Sequence, residues 1–130
     1  MSGSEAPTAP AIVFECVVPI LRVRSLAASI DFYVNVLGFK VDWRGAKIIA
    51  GLSRDRCQIM LCEGEQGNAG TWVWIGVSDI EPLFRDYTAK GVKVRHPPTN
   101  YQWAYEMQIE DPDGHVLRIG SEPKTDRPVG

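Results

Sequence analysis

Cysteine is scarce. Cys16, Cys57 and Cys62 are odd in number and form no C-x-x-C pair, which excludes a disulfide framework and a zinc knuckle and reads as reduced thiols of a cytoplasmic protein. Neither sign of charge dominates: 14 Lys plus Arg stand against 16 Asp plus Glu, a net charge of -2. Such a field is too weak to gather nucleic acid or to coat an anionic membrane. Long apolar runs are lacking too. Stretches such as 16–21 fall far short of the ~20 residues of a spanning helix, and residues 1–10 have no basic region followed by an apolar core. Neither an export signal nor a membrane span is expected.

What is there suits one globular domain. The chain has 130 residues, 45% of them hydrophobic and 23% charged, enough for a single core without staples. Residues 1–10 and 123–130 are small, polar and proline-containing, and read as flexible tails around a domain at 11–122.

Leu26, Ile30, Tyr33 and Leu37 recur at helical spacing, as do Ile80, Leu83, Phe84 and Tyr87. Ser25 caps the first helix and Gly38 ends it; Ser78-Asp79-Ile80-Glu81 is a capping box for the second, which stops at Gly91. Short runs with strand character fall at 12–23, 39–43, 47–52, 57–63, 72–77, 92–95, 105–109 and 115–119. The order is strand, helix, three strands, then the same again, and both helices end alike, in Gly38-Phe39-Lys40-Val41 and Gly91-Val92-Lys93-Val94. The expected fold is therefore α+β, with two βαβββ modules at about 11–66 and 70–122 and a glycine-rich linker at 64–70.

Strand side chains alternate between faces. Val73, Ile75 and Val77 oppose Trp72, Trp74 and Gly76; Leu117 and Ile119 oppose Val116 and Arg118. Ile59 and Leu61 oppose Gln58 and Met60, and Met107 and Ile109 oppose Glu106 and Gln108. The aliphatic sets suit the helices. The others would line a concave face fit for a flat or amphipathic molecule.

The chain resembles the vicinal oxygen chelate superfamily of glyoxalases, ring-cleaving dioxygenases and bleomycin resistance proteins. Carrying the resemblance are Pro19-Ile20-Leu21-Arg22-Val23 leading into Ile30-Asp31-Phe32-Tyr33 and Leu37-Gly38-Phe39, and Asp111-Pro112-Asp113-Gly114 before the last strand. It implies curled mixed sheets around a cleft, in a homodimer whose subunits either keep their own strands and modules or exchange one. Metal-dependent members of the superfamily place one ligand on each of four strands, and these sites fall here on Val18, Met60, Trp72 and Arg118. Valine and tryptophan have no lone pair to give, methionine is a soft thioether, and a guanidinium repels a cation. No metal and no other cofactor is expected.

Within the superfamily the chain is most similar to the metal-free bleomycin resistance proteins, which sequester the drug in clefts at a dimer interface. The shared stretches are Thr71-Trp72-Val73-Trp74-Ile75, Gln102-Trp103-Ala104-Tyr105-Glu106-Met107 and the Asp111 turn. Gln102, Ala104 and Tyr105 stand where that family has proline, glycine and arginine.

Trp72, Trp74 and Trp103 read as stacking walls, the competing reading being core packing or a dimer seam. Trp43 reads as structural or interfacial. Arg118 is expected in the cleft, clamping an anion or pairing with Glu106; Met60 faces the same way, and Asp31 and Phe32 reach it from the first helix or else meet solvent and core. Glu106 would be a general base only if burial raised its pKa. His96 and His115 sit at strand ends in loop or turn roles. Cys57 and Cys62 lie on opposite faces of one strand. The function expected is metal-independent binding and sequestration of a small aromatic or amphipathic molecule through Trp72, Trp74, Trp103, Arg118, Glu106, Met60 and Phe32. The alternative is a lyase, isomerase or dioxygenase of the same superfamily with a relocated or lost metal site.

Overall fold

A computed structural model describes residues 11–130; the tail expected at 1–10 lies outside the described residues. The first module runs β1 (Ile20–Arg22), α1 (Leu26–Asp31) with a π-helical continuation (Phe32–Val36), β2 (Lys40–Gly45), β3 (Ile49–Arg54) and β4 (Cys57–Cys62). The second repeats it with β5 (Trp72–Gly76), α2 (Ile80–Ala89), β6 (Lys93–Asn100), β7 (Tyr105–Glu110) and β8 (Val116–Ser121). The sheets have equivalent orders, β1-β4-β3-β2 and β5-β8-β7-β6. In each, the first strand pairs parallel with the last and the remaining pairs are antiparallel. The α+β architecture of two mixed-sheet modules is thus as the sequence implies.

Caps set the helix ends. Ser25 accepts from Ala28 N–H, and the Glu63 carboxylate at the end of β4 accepts from Leu26 N–H at 2.7 Å. In α2 the cap is Asp79, in extended backbone and accepting from Glu81 N–H, one residue later than a capping box begun at Ser78. Gly38 (φ 85°) and Gly91 (φ 76°) follow the helices in the left-handed conformation that glycine adopts freely.

Several strand expectations shift. Residues 12–19 join no strand: β1 pairs with β4 only from Ile20, because Pro19 accepts from Met60 N–H through its carbonyl but has no N–H to return. The linker also crowds β1, since a Cβ on Gly67 (φ 85°) would lie 2.6 Å from the Ile20 carbonyl oxygen. β6 runs through Pro97 and Pro98 to Asn100, tolerating them because it is an edge strand whose register shifts on either side of His96. β2, β3 and β8 each extend two residues beyond their expected ends.

The core lies between the modules. Leu21, Tyr33, Leu52 and Leu61 from the first join Ile80, Met107, Ile109 and Leu117 from the second in one cluster. The Asp111 to Gly114 turn reaches across this seam. Asp111 accepts from Tyr33 O–H at 2.7 Å, and Asp113 accepts from Arg24 at 2.9 Å and Ser29 O–H at 3.1 Å. His115 is fully buried, which corrects its expected place in a surface loop. Its Nδ1 accepts from Thr71 N–H at 3.0 Å, so the opposite nitrogen carries the proton and donates to the Arg22 carbonyl. Residues 123–130 lie against β6 and β7 through hydrogen bonds to Asn100 and the Tyr105 hydroxyl.

Candidate functional site

The outer faces of both sheets carry the residues that alternation assigned to them. On the second sheet the register sets Trp74 opposite Arg118, Arg118 opposite Gln108, and Glu106 opposite Gly120. Trp72, Trp74 and Trp103 are 51%, 53% and 64% exposed, whereas Glu106 beneath them is 3% exposed.

Glu106 is the hub. Its Oε1 accepts from the indole N–H groups of Trp103 at 3.1 Å and Trp74 at 3.4 Å. Both its oxygens accept from Arg118, with Nε and Nη2 each 2.9 Å from Oε2 and Nη2 also 3.3 Å from Oε1. Burial raises the Glu106 pKa, but hydrogen bonds from Arg118, Trp103 and Trp74, with the Arg118 charge, outweigh it and hold the carboxyl below its usual range. A carboxylate so engaged is a poor proton acceptor. It serves to orient two indoles and a guanidinium, which is the internal ion pair weighed for Arg118 from sequence.

Glycines make the floor. A Cβ on Gly76 or Gly120 would come within 2.9 or 3.1 Å of the Trp74 ring, so that indole lies on a patch free of side chains. Between Trp74, Trp103, Gly120 and Glu122 is an open cavity of about 400 Å³. Trp103 stacks on Tyr101 with ring centroids 4.6 Å apart and planes 6° from parallel. Trp72 is covered by Arg95, whose guanidinium lies 5.1 Å from the ring centroid.

Met60 and Phe32 do not join this cluster. Met60 lies on the first sheet, beside a cavity of about 280 Å³ that Trp43 also lines. There Trp43 occupies the space above Gly51, where a Cβ would stand 2.1 Å from its Nε1. Phe32 packs edge-on against Tyr33 and lines a separate cavity of about 730 Å³ at the module seam with Arg22, Glu63 and Asp113. That groove is open and mixed in charge, and holds none of the tryptophans.

The sequence reading set Gly76 on this face but missed Tyr101, Arg95 and Gly120. Gly120 falls just past the strand expected at 115–119, and Arg95 sits in the register shift between Val94 and His96, which alternation does not foretell.

The residues do not fit a divalent ion. Val18, Met60, Trp72 and Arg118 supply no suitable donor set, and among the described residues no group of three or more His, Cys, Asp or Glu side chains converges. No helix among them is long and apolar enough to cross a membrane.

Two βαβββ modules, each with one helix packed on its sheet and the other sheet face open, define the class of paired-module α+β domains. The chain belongs to the Glyoxalase/Bleomycin resistance protein/Dioxygenase superfamily, whose model matches residues 13–119. No curated protein matches it. Among solved structures it is similar to TnmS3, an antibiotic binding protein from Streptomyces sp. CB03234, at TM-score 0.76 and 20% identity over 88% of this chain and 100% of that one. It is also similar to the bleomycin-binding protein of Streptomyces verticillus complexed with copper(II)-bleomycin, at TM-score 0.72 and 23% identity over 88% and 100%. A glyoxalase/bleomycin resistance protein/dioxygenase from Nocardioides gives TM-score 0.67 and 18% identity over 93% and 92%. At these identities the likeness speaks for the fold.

Proposed function

We propose that the protein is a cytoplasmic, metal-independent binder that sequesters a small aromatic or amphipathic molecule, as the bleomycin-binding relative binds its drug. The observation that carries this reading is the buried Glu106 carboxylate holding Trp74, Trp103 and Arg118 on an otherwise open sheet face. Exposed indoles oriented in advance, with one anchored cation beside them, suit a planar ligand with a polar group; each stacking contact contributes on the order of 1 kcal/mol beyond area burial. An enzymatic reading finds less support, because the Glu106 carboxylate at the centre of the cluster is held low and engaged by Arg118, Trp74 and Trp103.

The protein acts as a homodimer in this reading. Ile12, Val13, Phe14 and Val17 are exposed on a segment continuous with β1 but outside its ladder, and Trp43 faces outward on the first sheet. A second copy would cover this apolar surface and close the open sheet face into a cleft. Serine at the four N-terminal positions should convert a dimer into a monomer in light scattering; a parent protein already monomeric would refute this assembly.

Tryptophan fluorescence of chelator-treated protein titrated with bleomycin tests the function. Saturation near one ligand per subunit, lost in Trp103→Ala, is the expected result. A flat titration removes bleomycin as the ligand.

A further inference from the structure

Behind the Trp103 wall the chain returns on itself. Glu122 lines the cavity shared by Trp74 and Trp103, and the residues after it run back to Asn100, at the base of the turn that carries Trp103. Asn100 is buried, and this segment takes up its carboxamide. Its Nδ2 donates to the carbonyls of Lys124 at 2.9 Å and Arg127 at 3.2 Å, while its Oδ1 accepts from Lys124 N–H at 2.8 Å. Its backbone carbonyl accepts from Gly130 N–H at 2.7 Å.

A second clasp lies one strand away. Arg127 donates to Glu81 at 2.8 Å and to the Tyr105 hydroxyl at 3.0 Å, and its guanidinium stands 5.0 Å from the Tyr105 ring centroid. Tyr105 is the neighbour of Glu106 on β7 and pairs with Asn100. Both ends of the 101–104 turn are therefore gripped by one segment, whereas the turn itself is closed by Tyr101 N–H donating to the Ala104 carbonyl at 2.8 Å. A buried carboxamide is costly unless bonded, so releasing the segment would leave Asn100 seeking water and free the turn.

We infer that residues 123–130 are a positioning strap: latched on Asn100 and Arg127, they hold the 101–104 turn so that the Trp103 indole meets Glu106 beside Trp74. The consequence for affinity rests on the ligand-binding reading above; the effect on Trp103 does not. Composition marked these residues as a loose tail, yet their contacts are those of a brace for one wall of the site.

The test uses protein carrying 5-fluorotryptophan, with the Trp103 resonance assigned by Trp103→Phe. Asn100→Asp sets a carboxylate against the Lys124 and Arg127 carbonyls; Arg127→Ala opens the second clasp and serves if the first variant does not fold. In ligand-free protein the 19F resonance of Trp103 should move toward its solvent-exposed position in both variants, with that of Trp43, on the other sheet, unmoved. Affinity for metal-free bleomycin should fall about tenfold, the scale of one lost stacking contact. An unmoved Trp103 resonance overturns the strap, and so does a common shift of all four indoles, which marks general loosening. Parent protein that does not bind bleomycin removes bleomycin as the ligand, with the strap still judged on the Trp103 resonance.

Discussion

Tyr33 and Asp111 join the two modules through a buried hydrogen bond of 2.7 Å, the phenol of the first helix donating to the carboxylate that opens the Asp111 to Gly114 turn. Asp111 also accepts from the backbone N–H groups of Asp113 and His115, so this carboxylate organises the turn as well as the seam. Tyr33→Phe removes one donor and leaves a buried carboxylate oxygen without it. The expected loss is about 1.5–3 kcal/mol in urea unfolding, the range for hydrogen bonds to charged groups. Burial, then the Asp111 charge and hydrogen bond and the Asp113 charge, push the Tyr33 pKa well above its ordinary value. The unfolded chain therefore loses this proton first as pH rises, so stability present at neutral pH should decline above about pH 10. In Tyr33→Phe that alkaline decline should be shallower.

The Glu106 carboxyl is held below its usual range, because the hydrogen bonds and charge around it outweigh the effect of burial. Its contribution to stability is present above the unfolded value, about 4.3, and is lost as pH falls through the lower folded value. Trp74 and Trp103 donate directly to this group, so their emission should stay constant through the ordinary glutamate range and change only below it. Glu106→Gln should abolish that acid transition while altering emission at neutral pH, since an amide N–H₂ would face the Arg118 guanidinium. An emission midpoint near 4.3 in the parent protein would contradict the hub.

The faces of the sheets were legible because strand periodicity is two. Trp72, Trp74, Glu106 and Arg118 fall on one face by counting alone. The Glu106–Arg118 pair was among the readings offered, but the indole contacts to Glu106 were not legible, since they depend on register between β7 and β8 and on the course of the 101–104 turn. Met60 obeys the same counting rule, yet it belongs to the other sheet, and a single sequence does not say which concave face a residue shares with which. His115 looked like a turn residue because its partners, Thr71 N–H and the Arg22 carbonyl, lie 44 and 93 positions away. Pro97 and Pro98 concealed half of β6, because proline in a strand is readable only once the strand is known to be an edge.

Ala46 and Lys47 form the β2–β3 turn with φ of 50° and 62°, closed by Ile48 N–H donating to the Gly45 carbonyl at 3.2 Å. Two consecutive positive values are the requirement of a type I′ turn, which Asn-Gly meets without steric cost. The double change Ala46→Asn and Lys47→Gly should therefore raise stability by about 1 kcal/mol, part of the left-handed penalty being offset by the freer glycine in the unfolded chain. A higher urea midpoint at unchanged slope, with ligand binding unaffected, is the expected result.

Trp43 fills the space above Gly51, its directly opposed residue across β2 and β3. A methyl group on Gly51 would stand 2.1 Å from the indole nitrogen, far inside contact distance, so Gly51→Ala must swing Trp43 off the sheet or strain the strand. Overpacking of this kind costs about 1–3 kcal/mol. The sign should reverse once the indole is gone. In a Trp43→Ala background the new methyl meets no ring, and alanine restricts the unfolded chain more than glycine does, so Gly51→Ala should be neutral or stabilising there by up to about 1 kcal/mol. Urea unfolding of the four proteins in this double-mutant cycle measures the coupling directly. Equal losses in both backgrounds would place the strain in the strand backbone rather than under the indole.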